Sequence, residues 1–228
     1  MLQLKVQRLT EQELDHSAAE LLQKYSRWKG KAPAPPIDIE DILEGLLSLT
    51  FEIVDLEKKL GVQGVLGAAW FDEGRVAVDQ SLETQEGRFA FTLAHECGHW
   101  VIHRPQYEIS KMELSLFASP KPTKADAVVC RSADRQAPAE WQANQFAGRI
   151  LMPPTFVRKA MQAAHGDLAP SWAGLRRKAD RDEYDPQLQK VAATIIEHGS
   201  FSNVSNEAMR RRLVQLKLVR DSAEQVML

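Results

Sequence analysis

Two cysteines in 228 residues, Cys97 and Cys130, are too few for the disulfide framework that staples small secreted folds. Both are expected to be reduced, and Cys97 is expected to serve as a small buried hydrophobe. A formal net charge of −2 leaves no excess of either sign, so affinity for nucleic acid or for a membrane surface would have to come from a local patch. Long apolar runs are missing as well. Nothing approaches the roughly 18 uninterrupted apolar residues of a membrane span, and the opening MLQLKVQRLTEQELDH has no apolar signal core. The expected address is the cytoplasm, with no membrane partner.

What is present, 44% hydrophobic and 26% charged residues, is the composition of a globular chain long enough to bury a full core. Histidine is scarce at six residues, yet three of the six fall together at His95, His99 and His103. The first two belong to the pentapeptide HECGH, set inside the apolar run Phe89 to Ile102. Residues four apart on a helix share a face about 6 Å from each other, so His95 and His99 can present two imidazoles to one ion. Glu96 sits about 100° of helical rotation round from His95, which sets its carboxylate beside such an ion, where it can take a proton from water.

The chain around that motif reads in order. Apolar recurrence at Leu14, Ala18, Leu21, Leu22 and Tyr25 predicts an amphipathic helix from about Thr10 to Trp28, ended by the tether Lys29 to Pro36. A second helix is predicted over Asp38 to Leu47, then a short strand over Leu49 to Val54. Val62 to Phe71 and Arg75 to Asp79 read as strands joined by the hairpin turn Asp72-Glu73-Gly74. A small, mostly antiparallel sheet is therefore expected just before the motif helix, and one of its edges could take an extended peptide by strand addition.

Arg104 to Ala139 is poorly patterned, with strand character only at Val128, Val129 and Cys130; a loop of that length beside a site is commonly a lid or binding loop. Pro138 fits the first turn of a helix running to about Met152, stopped by Pro153-Pro154. Asp185-Pro186 looks like a cap and first helical residue, with Gly199 closing that helix, and a last helix is predicted from after Ser205 to about Lys217.

A catalytic zinc site needs a third protein ligand and an open fourth position. His103 fails on distance, because eight residues of helix span about 12 Å while zinc–nitrogen bonds are about 2.0 Å. The longer pattern HExxHxxGxxH fails too, with Ile102 in place of its glycine and Pro105 in place of its third histidine. His103 is left with a supporting or structural part. Glu140, in EWQANQFAGRILMP, is the better candidate: Asn144 lies one turn later on the same face and can orient a ligand. The small residues Ala94 and Gly98 face a matching set in Ala143, Ala147 and Gly148, which would allow close helix approach; glycine within a helix costs about 1 kcal/mol against alanine and invites such a reason. At this level Glu140 also reads as a solvated first-turn carboxylate favoured by the helix dipole.

HECGHWVIH followed by EWQANQFAGRILMP resembles the ImmA/IrrE family of metallopeptidases, and the approach VLGAAWFDEGRVAVDQ and RFAFTLAHE is similar to it as well. The resemblance runs from about Pro36 to Pro154, with a weaker extension over Val204 to Val219. It implies an α+β, zincin-like peptidase domain over residues 1–165, with helices before a small sheet, then the HExxH helix and a third-ligand helix. A C-terminal helical segment like a helix-turn-helix follows over residues 166–228. It further implies Zn2+, with Mn2+ the alternative, held by His95, His99 and Glu140, and Glu96 as general base. The implied substrate is a helix-turn-helix transcriptional repressor, as in stress response or mobile-element control. His103, Tyr107, His165 and Tyr184 are candidates for stabilising the oxyanion. A competing reading makes the chain a DNA-binding or protein-interaction module with structural zinc, contacting phosphate through Arg210, Arg211, Arg212, Lys217 and Arg220.

Overall fold

The computed structural model describes residues 6–117, 128–131, 137–166, 171–172 and 186–221. Contacts divide the chain into two compact units, one made of residues 1–33 and 38–150, the other of 34–37 and 151–228.

In the first unit, helix α1 (Glu11–Lys29) starts from a capping box. Thr10 accepts the main-chain N–H of Glu13, whose carboxylate accepts the N–H of Thr10, so two otherwise orphaned donors are satisfied. Its apolar stripe, Leu14, Ala18, Leu21, Leu22 and Tyr25, is buried, and Gly30 closes it in the left-handed conformation. A short helix α2 (Ile39–Asp41) leads into a wider π-type turn at Ile42–Leu46. Strand β1 (Thr50–Val54), helix α3 (Leu56–Leu60), strand β2 (Val65–Trp70) and strand β3 (Arg75–Asp79) follow. The predicted hairpin is there: β2 and β3 are antiparallel, and Gly74 takes the positive φ of 60° that the turn needs.

Helix α4 (Glu86–Gly98) carries the motif and packs on β2 and β3. It runs without a break into a π-helical turn at His99–His103 and then helix α5 (Arg104–Phe117). β4 (Val128–Arg131) and α6 (Pro138–Leu151) complete the unit. The sheet order is β1-β3-β2-β4. Its pairings are antiparallel for β2 with β3 and with β4, as expected of a mostly antiparallel sheet, but β1 runs parallel to β3, so the sheet is mixed. Helix α3, absent from the expected elements, carries the chain from β1 past the neighbouring position to β2, and β3 returns into that position beside β1 and parallel to it.

The second correction concerns α5, expected as loop. Among its described side chains the apolar Ile109 and Met112 are exposed, so they do not mark a helix by a buried stripe. Pro105 lies at the second position of this helix. It has no N–H and crowds the carbonyl four residues back, and the widened turn just before it supplies room. The rest of the stretch read as a lid, residues 118–127 and 132–136, lies outside the described residues, as do Tyr184, the cap at Asp185 and the tail after Asp221.

The second unit holds α7 (Pro154–His165), α8 (Pro186–His198) and α9 (Asn206–Gln215), with a short parallel pair, β5 (Ser171–Trp172) and β6 (Arg220–Asp221). Its core includes Val157, Ala192, Ile195, Phe201, Met209 and Leu213. Asn203 donates to the carbonyl of Ile37 at 2.8 Å, tying the end of the tether into this unit. No helix among the described residues is long and apolar enough to cross a membrane.

Candidate metal centre

The apolar residues of α4, Ala90, Leu93, Ala94 and Cys97, are buried, and they carry His95, Glu96 and His99 into the interior with them at 1%, 0% and 0% exposure. Buried polar groups are costly unless partnered, so each should have a use. The Cys97 thiol is pushed up to about 12 by burial and stays a protonated apolar filler, as its sequence context suggested.

Helix α6 crosses behind Gly98, where an added Cβ would stand 3.3 Å from both Cα and O of Ala143 and 3.2 Å from Phe146. This is the close approach anticipated from Gly98 and Ala143. It lets the short Glu140 side chain on the first turn of α6 reach the histidines. Glu140 Oε2 lies 3.1 Å from His95 Nε2, Oε1 lies 3.2 Å from His99 Nε2, and the two Nε2 atoms are 3.0 Å apart. His95, His99 and Glu140 form the one group among the described residues whose His, Cys, Asp or Glu donor atoms could share an ion.

The far nitrogens are engaged too. His95 Nδ1 meets Asn144 Oδ1 at 3.1 Å. His99 Nδ1 meets His103 Nδ1 at 2.9 Å, because the π-turn brings residue 103 back over residue 99. His103 is thus buried behind a candidate ligand.

Burial pushes Glu140 up, but the hydrogen bonds from His95 and His99 outweigh it and bring the carboxyl down to about 2, so it is an anion. Burial holds His99 below its usual value and takes His103 down to about 3, so both are neutral. Glu96 is the reverse case. Burial, then the Glu140 charge, raises its carboxyl well above the ordinary value, and neither of its oxygens has a hydrogen-bond partner.

This donor set suits a divalent ion. Tetrahedral bonds of about 2.0–2.1 Å imply ligand separations of roughly 3.3 Å, close to the spacings above, and two imidazoles with one carboxylate leave a fourth position open. The partnerless Glu96 carboxyl fits a neighbouring positive charge, which would stabilise its ionised form.

Two contributors were not legible in advance. Gly67 on β2 lies under Glu96: a Cβ there would overlap Glu96 Oε1 and stand 2.8 Å from Cγ2 of Thr92. The available signal was a glycine inside a strand, which often marks close approach. Gln142 is fully buried beside His103, and its signal was only a polar residue flanking the small-residue strip. Of the oxyanion candidates, Tyr107 donates to Asp72 at 3.0 Å, while His165 ends α7 in the second unit.

A buried HExxH pair joined by a carboxylate from a later helix, beside a small mixed sheet, defines a metal-dependent peptidase centre. The family model of the peptidase IrrE N-terminal-like domain matches residues 50–179, more than half of the chain, and the chain belongs to that family. No individually curated protein matches it.

Proposed function

We propose that this protein is a zinc-dependent endopeptidase in which His95, His99 and Glu140 would hold the ion and Glu96 is the general base. A divalent ion supplies Lewis-acid polarisation of the scissile carbonyl and a more acidic water. The observation that carries the reading is Glu96: a fully buried carboxyl beside the cluster, both oxygens unpartnered, with its proton affinity raised. Such a group takes a proton as water attacks and retains it long enough to return it to the leaving amine. Asn144 keeps His95 turned with Nε2 toward the cluster. The peptide is accommodated in extended form along the sheet edge at β4, the neighbour of β2.

For substrate we propose a helix-turn-helix repressor, following the family resemblance, with Mn2+ as the alternative metal. The competing module with structural zinc is disfavoured by two observations. Structural zinc sites have four protein ligands, whereas three converge here among the described residues. Arg210 and Arg212, needed for phosphate contact, are buried, and Arg212 donates to the carbonyl of Met152 at 3.0 Å.

The test is incubation of zinc-loaded protein with a helix-turn-helix repressor, in parent and Glu96→Gln forms. The parent is expected to cut the repressor and the variant to keep its zinc but not cut. Undiminished cleavage by the variant removes Glu96 from the role.

A further inference from the structure

Behind His99, on the side away from Glu140, lies a file of polar groups that holding an ion does not by itself require. The main-chain carbonyl of Gln7 accepts Nε2–H of Gln142 at 3.0 Å. That contact sets the amide: the opposite orientation would press the Gln142 oxygen against the Gln7 oxygen. Gln142 Oε1 therefore faces His103 Nε2, at 3.3 Å. A carboxamide oxygen only accepts, so the proton of neutral His103 sits on Nε2 and its Nδ1 is a bare lone pair. Opposite that lone pair, at 2.9 Å, is Nδ1 of His99, which must then be the protonated nitrogen. With that proton on Nδ1, His99 Nε2, the atom 3.2 Å from Glu140 Oε1, is free to hold an ion; without an ion the Glu140 carboxylate competes for a proton on that nitrogen.

His99, His103 and Gln142 are each 0% exposed, so water does not compete for these contacts. Gln7 is fixed from its other side as well: its N–H donates to Gln106 Oε1 at 2.7 Å, and Gln106 donates to the carbonyl of Ile102 at 3.0 Å.

We propose that the Gln7 carbonyl, Gln142 and His103 form a positioning relay that fixes the tautomer of His99 and presents its Nε2 unprotonated to a divalent ion. His95 obtains the same service from Asn144 alone. His103 and Gln142 touch neither ion nor substrate in this scheme; they act through His99. The file begins at Gln7, ahead of α1, so the N-terminal segment is part of the metal centre although it precedes the matched family region. The relay rests on the metallopeptidase reading, because an ion at Nε2 is what relieves the contact of that nitrogen with the Glu140 carboxylate.

The test uses the full chain loaded with zinc and carrying 15N-labelled histidine, read by long-range 1H–15N NMR near neutral pH, alongside zinc titration against a chromophoric chelator. The parent is expected to show His99 protonated at Nδ1 and His103 at Nε2. Gln142→Met should mix both tautomers and weaken zinc binding about 10-fold, and His103→Leu should weaken it about 10–100-fold. Gln7→Ala, which keeps the main-chain carbonyl, should change nothing. A zinc-bound parent that carries the His103 proton on Nδ1 overturns the relay alone, as does Gln142→Met with parental tautomers and affinity. If Gln142→Met does not fold, the parental tautomers decide. A parent that binds no zinc overturns the metallopeptidase reading and, with it, the relay's purpose.

Discussion

Lowering the pH of the metal-free protein should destabilise it through His103 in particular. The imidazole is buried and neutral, with a folded-state value of about 3 against an ordinary 6.5. The folded value lies below the unfolded one, so the unfolded chain binds the proton first as pH falls. Stability is therefore complete above pH 6.5 and drains away between 6.5 and about 3. Each pH unit in that window is worth about 1.4 kcal/mol, so the step from pH 7.5 to pH 5 removes about 2 kcal/mol through this one group. Urea denaturation with chelator present, followed by tryptophan fluorescence, measures it; Trp28, Trp70, Trp100 and Trp141 all lie in the unit that holds the site. His99 shifts in the same direction and remains in both proteins, so the reporting quantity is the loss in the parent minus the loss in His103→Gln. A difference near 2 kcal/mol is expected. Equal pH dependence in the two proteins would refute the buried, neutral His103.

Gly67→Ala should push the Glu96 carboxylate from its place, cutting peptidase turnover at least about 10-fold while zinc stoichiometry stays parental; unchanged turnover would show that the Gly67 contact does not position Glu96. Arg149→Met should cost about 1–3 kcal/mol in chemical denaturation, because the buried guanidinium bonds Asp15 at 2.7 Å and Gln145 Oε1 at 2.7 Å and so joins α6 to α1. Thr10→Ala should cost about 1 kcal/mol by opening the capping box of α1. Glu140→Gln should leave the fold intact and weaken zinc binding, read by chelator competition, because one anionic donor of three is lost.

The parts of the site whose placement was legible beforehand share one property: that placement is written in local spacing. His95 and His99 repeat at one helical turn, and Asn144 follows Glu140 by the same interval. Gly98 announced a close crossing because glycine is unfavourable within a helix, and Ala143 is what it meets. The hairpin at Asp72-Glu73-Gly74 was visible in its turn residues.

What escaped depended on non-local facts. The parallel pairing of β1 with β3 is set by a five-residue helix, too short to leave a periodic signal. Helix α5 leaves Ile109 and Met112 exposed, and its Pro105 is tolerated only because the preceding turn is widened. Helix α7 begins at a proline read solely as the end of α6, though proline suits a first helical turn equally well. The order of the hydrogen bonds behind His99 joins Gln7, His103 and Gln142 across most of the unit, and no spacing rule connects them.

The most direct test of the centre itself is X-ray absorption at the zinc edge on protein loaded with one equivalent of zinc. Two imidazole nitrogens and light oxygen donors at about 2.0–2.2 Å are expected, with the imidazole signal lost in a His95→Ala, His99→Ala double variant. A sulfur scatterer at about 2.3 Å, or zinc retained unchanged by that double variant, would place the metal elsewhere and contradict this assignment.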